Sequence, residues 1–180
     1  MKRYALAVVI LGAMTLAALP GCKSMSTEEV KNSLEVLDYT SVWVSKYYQP
    51  WPPRLILVPQ ISFRVKNIGP KPMTYVNFNA VYSFKGDPEN FGDAFKAAIR
   101  SRAVAPGEMS PVITLTSNLG VDGKNLAGIR DNPAWEQAEV RLFASSKGSM
   151  PVLVGVYDVS RDIDFKEPEP VEPKKEEIKK

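Results

Sequence analysis

The chain has 180 residues, 44% hydrophobic and 24% charged, with 15 prolines, 11 glycines, one cysteine and no histidine, a length that suits one domain. The lack of histidine excludes a Ser-His-Asp or Cys-His arrangement and any histidine-based metal site within the chain, and a single cysteine excludes an intrachain disulfide. Lys plus Arg number 23 against 20 Asp plus Glu, a formal charge of +3 with no basic stripe, too weak a field to imply nucleic-acid binding.

Lys2 and Arg3 precede an unbroken run of apolar and small residues from Tyr4 to Leu19. The run is too short to span a bilayer comfortably and is flanked as an export signal is; the alternative is a retained anchor that leaves the same domain outside the membrane. Leu19-Pro20-Gly21-Cys22 then resembles the lipobox of bacterial lipoproteins, with Pro20 where that family has a small or aliphatic residue. The resemblance implies that residues 1–21 are a signal peptide, that the chain is cut before Cys22, that the Cys22 thiol carries diacylglycerol and that the new amino group is acylated, for example by palmitate. Loss of Lys2 and Arg3 brings the formal charge from +3 to +1. Each buried methylene contributes about 0.8 kcal/mol, so two or three acyl chains hold a protein on a bilayer essentially permanently. Lys23 and Ser24 follow Cys22, without the aspartate that resembles an inner-membrane retention signal in some Gram-negative bacteria. The periplasmic side of the outer membrane is therefore the expected location in a cell with two membranes. An ordinary secretory signal with a free Cys22 thiol is the alternative.

Residues 22–36 read as a tether. Ser26-Thr27-Glu28-Glu29 can cap a short helix through Val30, Leu34 and Leu37, or the segment is a flexible spacer. From Tyr39 the pattern is extended: Thr40, Val42, Trp43 and Val44 favour a strand, and Leu55 to Val58 form a second apolar run that is expected to stop at Pro59. Ile61, Phe63 and Val65 alternate with Ser62, Arg64 and Lys66, the period of a half-buried strand. Asn67-Ile68-Gly69-Pro70-Lys71-Pro72 makes a turn. Val76, Phe78, Ala80, Tyr82 and Phe84 then share one face of the next strand. Residues 91–104 fit either a strand or a short helix. Pro106-Gly107-Glu108 turns the chain into an extended stretch around Ile113 and Leu115, and 117–133 reads as a long loop with one helical turn near Leu126. Ala138, Val140, Leu142 and Ala144 alternate with polar or aromatic neighbours, and Val152 to Tyr157 completes a last hairpin. Six or seven short strands fit two packed antiparallel sheets.

The segments Ile61-Ser-Phe-Arg-Val-Lys-Asn-Ile-Gly-Pro, Val76-Asn-Phe-Asn-Ala-Val-Tyr-Ser-Phe and Val104-Ala-Pro-Gly-Glu resemble the immunoglobulin-like β-sandwiches of many envelope lipoproteins and of late-embryogenesis-abundant type 2 proteins, over approximately residues 38–160. The resemblance implies an all-β fold, a single immunoglobulin-like antiparallel sandwich within 37–165. It carries over no catalytic residue.

The surface candidate is Tyr47-Tyr48-Gln49-Pro50-Trp51-Pro52-Pro53-Arg54. Its prolines limit strand pairing, while Tyr47, Tyr48 and Trp51 offer flat faces and polar edges to an envelope protein or glycan, with Arg54 adding charge. The competing reading folds Trp51 and a tyrosine over the end of the sandwich to cover its core. Trp43 and Trp135 read as core or rim. Asp158, Asp162 and Asp164 do not form a recognised calcium loop, and Arg161 among them favours local salt bridging, so no metal, cofactor or catalytic residue is assigned. Asp122-Gly123-Lys124-Asn125 reads as a turn. Residues 166–180, rich in Pro, Glu and Lys, are expected to be a disordered charged tail. The leading expectation is a lipid-anchored, noncatalytic envelope scaffold or protein-recognition domain. A carrier of a small hydrophobic ligand is the second, and a carboxylate-dependent enzyme ranks last.

Overall fold

The computed structural model describes residues 25–168. The signal segment 1–21, the lipidation candidate Cys22 and the tail from residue 169 lie outside the described residues.

The first helix among the described residues, α1 (Thr27–Ser33), ends at Ser33, short of the Leu34 and Leu37 expected in it, and is held by a capping box: Ser26 Oγ accepts from the Glu29 backbone N–H at 3.2 Å, and the Glu29 carboxylate accepts from the Ser26 N–H at 2.9 Å. Two of the helix's orphan donors are thereby satisfied. Met25 is 7% exposed and Val30 fully buried. The stretch expected to be a tether is thus packed onto the domain from Met25 onward.

Two long antiparallel strands follow, β1 (Leu34–Gln49) and β2 (Arg54–Asn67). β2 continues through Pro59, where the sequence suggested a stop. A proline in a strand is tolerated where its missing N–H faces no partner. Pro59 sits between the stretches of β2 that pair with β5 (Ile113–Thr116) and β6 (Val121–Gly123), and its carbonyl accepts from Ser117 N across that gap. The missing donor faces the same gap, so the ladder to β1 loses nothing. The remaining elements are β3 (Val76–Phe84), β4 (Asn90–Ile99), α2 (Leu126–Arg130), β7 (Ala138–Ser146), β8 (Val152–Asp158) and β9 (Ile163–Asp164).

One sheet runs β5-β2-β1-β9, with β6 also on β2; the other runs β4-β3-β7-β8. All pairings are antiparallel except β1 with β9, where Trp43 lies opposite Ile163. The architecture is therefore an all-β sandwich. Residues 90–99 resolve the strand-or-helix ambiguity in favour of a strand, and the long loop contains β6 and α2. The short β9 has too few residues to show a period.

The alternating residues of β2, β3 and β7 meet between the sheets. Phe63 and Phe78 contact edge to face with centroids 5.2 Å apart, and the buried Tyr82 hydroxyl donates across the core to Leu115 O at 3.0 Å. Trp43, 1% exposed, meets Trp135, 5% exposed, at 5.8 Å and 83°, and the Arg161 guanidinium lies 4.5 Å from the Trp135 ring centre. A bulge in β1 places Asp38 and Tyr39 opposite one residue of β2, with Asp38 at φ 53°, a conformation Asp tolerates better than most side chains. Tyr39 then stacks on Tyr157 at 4.5 Å and donates its hydroxyl to Asp158 O at 3.1 Å, closing one side of the sandwich. Burial pushes the Tyr39 phenol up to about 12.

Asn67 organises the end of the sandwich where α1 packs. It is fully buried, and its Nδ2 donates to Lys71 O and Val104 O, both at 2.8 Å, while Oδ1 accepts from Gly69 N at 2.9 Å. These bonds tie the turn after β2 to the segment after β4. Gly69 has no room for a side chain there, because a Cβ would meet Ser33 Oγ at 2.4 Å.

Candidate functional site

The Pro/aromatic segment forms the tip of the β1–β2 hairpin, with Gln49 paired to Arg54 at its base. Pro50, Pro52 and Pro53 keep the four linking residues out of the ladder, and the Trp51–Pro52 peptide is cis. The tip's polar groups are largely used internally. The Tyr47 hydroxyl donates to Gln49 Oε1, and Gln49 Nε2 donates to the Trp51 carbonyl at 2.9 Å. Arg54 Nε and one terminal nitrogen both donate to Asp122 Oδ2, at 3.0 and 2.7 Å. That partner carboxylate moves the Arg54 pKa above its ordinary value.

The aromatics divide between two tasks. Trp51 is 84% exposed and Tyr47 43%, so neither covers the core. Tyr48 instead turns inward against Phe165, centroids 5.4 Å apart. The covering reading thus describes Tyr48 and fails for Trp51. Tyr47, Trp51 and Arg54 present a phenol edge, an indole and an ion-paired guanidinium on one projecting turn, capable of stacking and hydrogen bonding.

Two parts of this arrangement escaped the sequence. Asp122 reads as a turn residue in isolation, yet β6 adds to β2 with Asp122 opposite Ile56, which brings the carboxylate to Arg54. Phe165 reaches Tyr48 because β9 runs parallel beside β1; Glu167 then accepts from Leu126 N at the start of α2. The chain therefore leaves the described domain on the side of the hairpin tip.

The carboxylates considered for metal or acid–base chemistry stand apart. Asp158 pairs with Lys85 at 3.2 Å, Asp162 accepts from Ser160 Oγ at 2.6 Å, and Asp164 lies on β9 opposite Val44. Among the described residues, no three acidic or cysteine side chains gather into a metal-holding group. Two surface grooves, of about 330 and about 410 Å³, are lined by Arg102, Glu108 and Met109 and by Asn79, Asp93 and Asn118 respectively; neither includes the tip.

No protein-family model matches the chain, and no curated protein does. The chain is similar to a solved Bordetella pertussis structure with a provisional ApaA designation, at 14% identity and TM-score 0.37, over 71% of this chain and 93% of that one.

Proposed function

We propose that the chain is a lipid-anchored, noncatalytic recognition domain of the bacterial cell envelope, an immunoglobulin-like sandwich that presents the Trp51 hairpin tip to an envelope protein. The observation that carries the reading is the 84% exposure of Trp51 on a turn whose other polar groups are already bonded to one another. A large indole left in water contributes little to the fold, whereas tryptophan set against a partner surface is among the side chains that dominate binding energy. Anchorage rests on the lipobox-like Leu19 to Cys22 and the signal-like segment before it. Recognition is preferred to ligand carriage because Phe63, Phe78, Tyr82 and Leu142, all fully buried, fill the space between the sheets.

Intact-mass measurement of the mature protein beside Cys22→Ser tests the anchor: acyl mass on the unmodified chain only is expected, and its absence there would remove the membrane from the account. Affinity capture from native envelopes tests the tip, with loss of a stoichiometric partner expected for Trp51→Ala and retention of that partner contradicting the reading.

A further inference from the structure

The domain is pinned close to its anchor point. Met25 is 7% exposed and sits in the core, and Ser26 closes the capping box of α1. Only Lys23 and Ser24 lie between Met25 and Cys22, and three residue steps reach at most about 11 Å. If Cys22 carries lipid, as proposed above, the surface around α1 has no freedom to swing clear of the bilayer.

That surface is suited to such a place. The first turn of α1 adjoins Met150, whose N–H donates to Thr27 Oγ1 at 3.1 Å, and Lys71, whose Nζ pairs with Glu29 at 2.7 Å. At the other end of α1, Ser33 O accepts from Ile68 N at 2.9 Å. Met150 is 72% exposed and Ile68 55%. On α1 and the turns that meet it stand the exposed cations Lys31, Lys71, Arg102 and Lys147 and the exposed acids Glu28 and Glu108. Glu29 is paired with Lys71, which neutralises both, and Glu35 lies across the strand pair from Lys66. The charges nearly balance, so the exposed Met150 and Ile68 and the short link to Cys22, rather than electrostatic attraction, favour contact with lipid.

We infer that the α1 end of the sandwich, with Met150 and Ile68, is seated directly on the lipid leaflet that holds Cys22. β1 runs from this end, where Leu34 pairs with Asn67, to the tip, where Gln49 pairs with Arg54. Sixteen residues at the rise of a strand span roughly 50 Å. The seated domain holds Trp51 at its far end, away from the bilayer.

Cys22 is the only cysteine, so acylation there leaves an introduced thiol as the sole labelling site. The test places an environment-sensitive nitrobenzoxadiazole label at Met150→Cys and, separately, at Trp51→Cys in the full mature chain. Each protein is reconstituted in vesicles of phosphatidylethanolamine with a one-quarter share of phosphatidylglycerol, with and without brominated lipid. Emission at 150 is expected to shift to the blue and be quenched several-fold more than emission at 51. Intact mass separates the two ways of failing. Acylated protein with equal quenching at both positions overturns the seating alone, whereas protein without acyl mass overturns the anchor and the seating with it.

Discussion

Trp51→Ala tests whether the exposed tip contributes to the fold. At 84% exposure, Trp51 covers about one-sixth of a side chain of about 250 Å², or about 40 Å². At 25 cal/mol per Å² this contributes at most about 1 kcal/mol, and the hydrogen bond from Gln49 goes to the Trp51 backbone carbonyl, which alanine retains. Trp43, at 1% exposure against Trp135 and Phe91, is the internal contrast, because truncating a buried tryptophan typically costs about 3–5 kcal/mol. Urea unfolding followed by far-ultraviolet circular dichroism should place Trp51→Ala within about 1 kcal/mol of the unmodified protein and Trp43→Ala several kcal/mol below it. A loss above about 2 kcal/mol for Trp51→Ala would refute the reasoning, since the tip would then be holding the fold together.

Asn67→Ala removes three side-chain hydrogen bonds, while Val104 O keeps its bond from Met73 N; at about 1 kcal/mol each, about 3 kcal/mol of stability should disappear in the same urea assay. Gly155→Ala would set a Cβ 2.5 Å from the Tyr157 ring, so the Tyr39–Tyr157 stack should break, with a loss of near-ultraviolet dichroism. Lys71 and the Ser26 N–H hold the Glu29 carboxyl down to about 2 from its ordinary 4.5. Because the folded value is the lower one, this stabilisation is complete above about pH 4.5 and is lost as pH falls toward 2. The protection factor of the Val30 amide, corrected for the intrinsic pH dependence of exchange, should fall over that window, and Glu29→Gln should flatten the dependence.

The alternating strands could be read because each has one wet face. Val76, Phe78, Ala80 and Tyr82, or Ala138, Val140, Leu142 and Ala144, declare a period of two and are all essentially buried. Pro59 misled because its cost depends on what lies beside the strand, and the gap between β5 and β6 is a property of the assembled sheet. Asn67 looked like any turn residue; its importance comes from Val104, which lies far along the chain and meets it only after β3 and β4 have formed. The same distinction governs the tip. Tyr48 and Trp51 are both aromatics in a proline-rich segment, and only Phe165, delivered by the parallel β9, decides that one turns inward while the other stays in water.

The central claim is that the exposed indole end of the hairpin meets a partner. Photocrosslinking in intact envelopes tests it most directly, with benzoylphenylalanine placed once at Trp51 and once at Phe95, which is 66% exposed on the outer face of the second sheet. The account predicts one reproducible, stoichiometric protein adduct from position 51 and none of that mass from position 95. The same adduct from both positions, or no protein adduct from 51 under conditions that capture a known envelope complex, would contradict it.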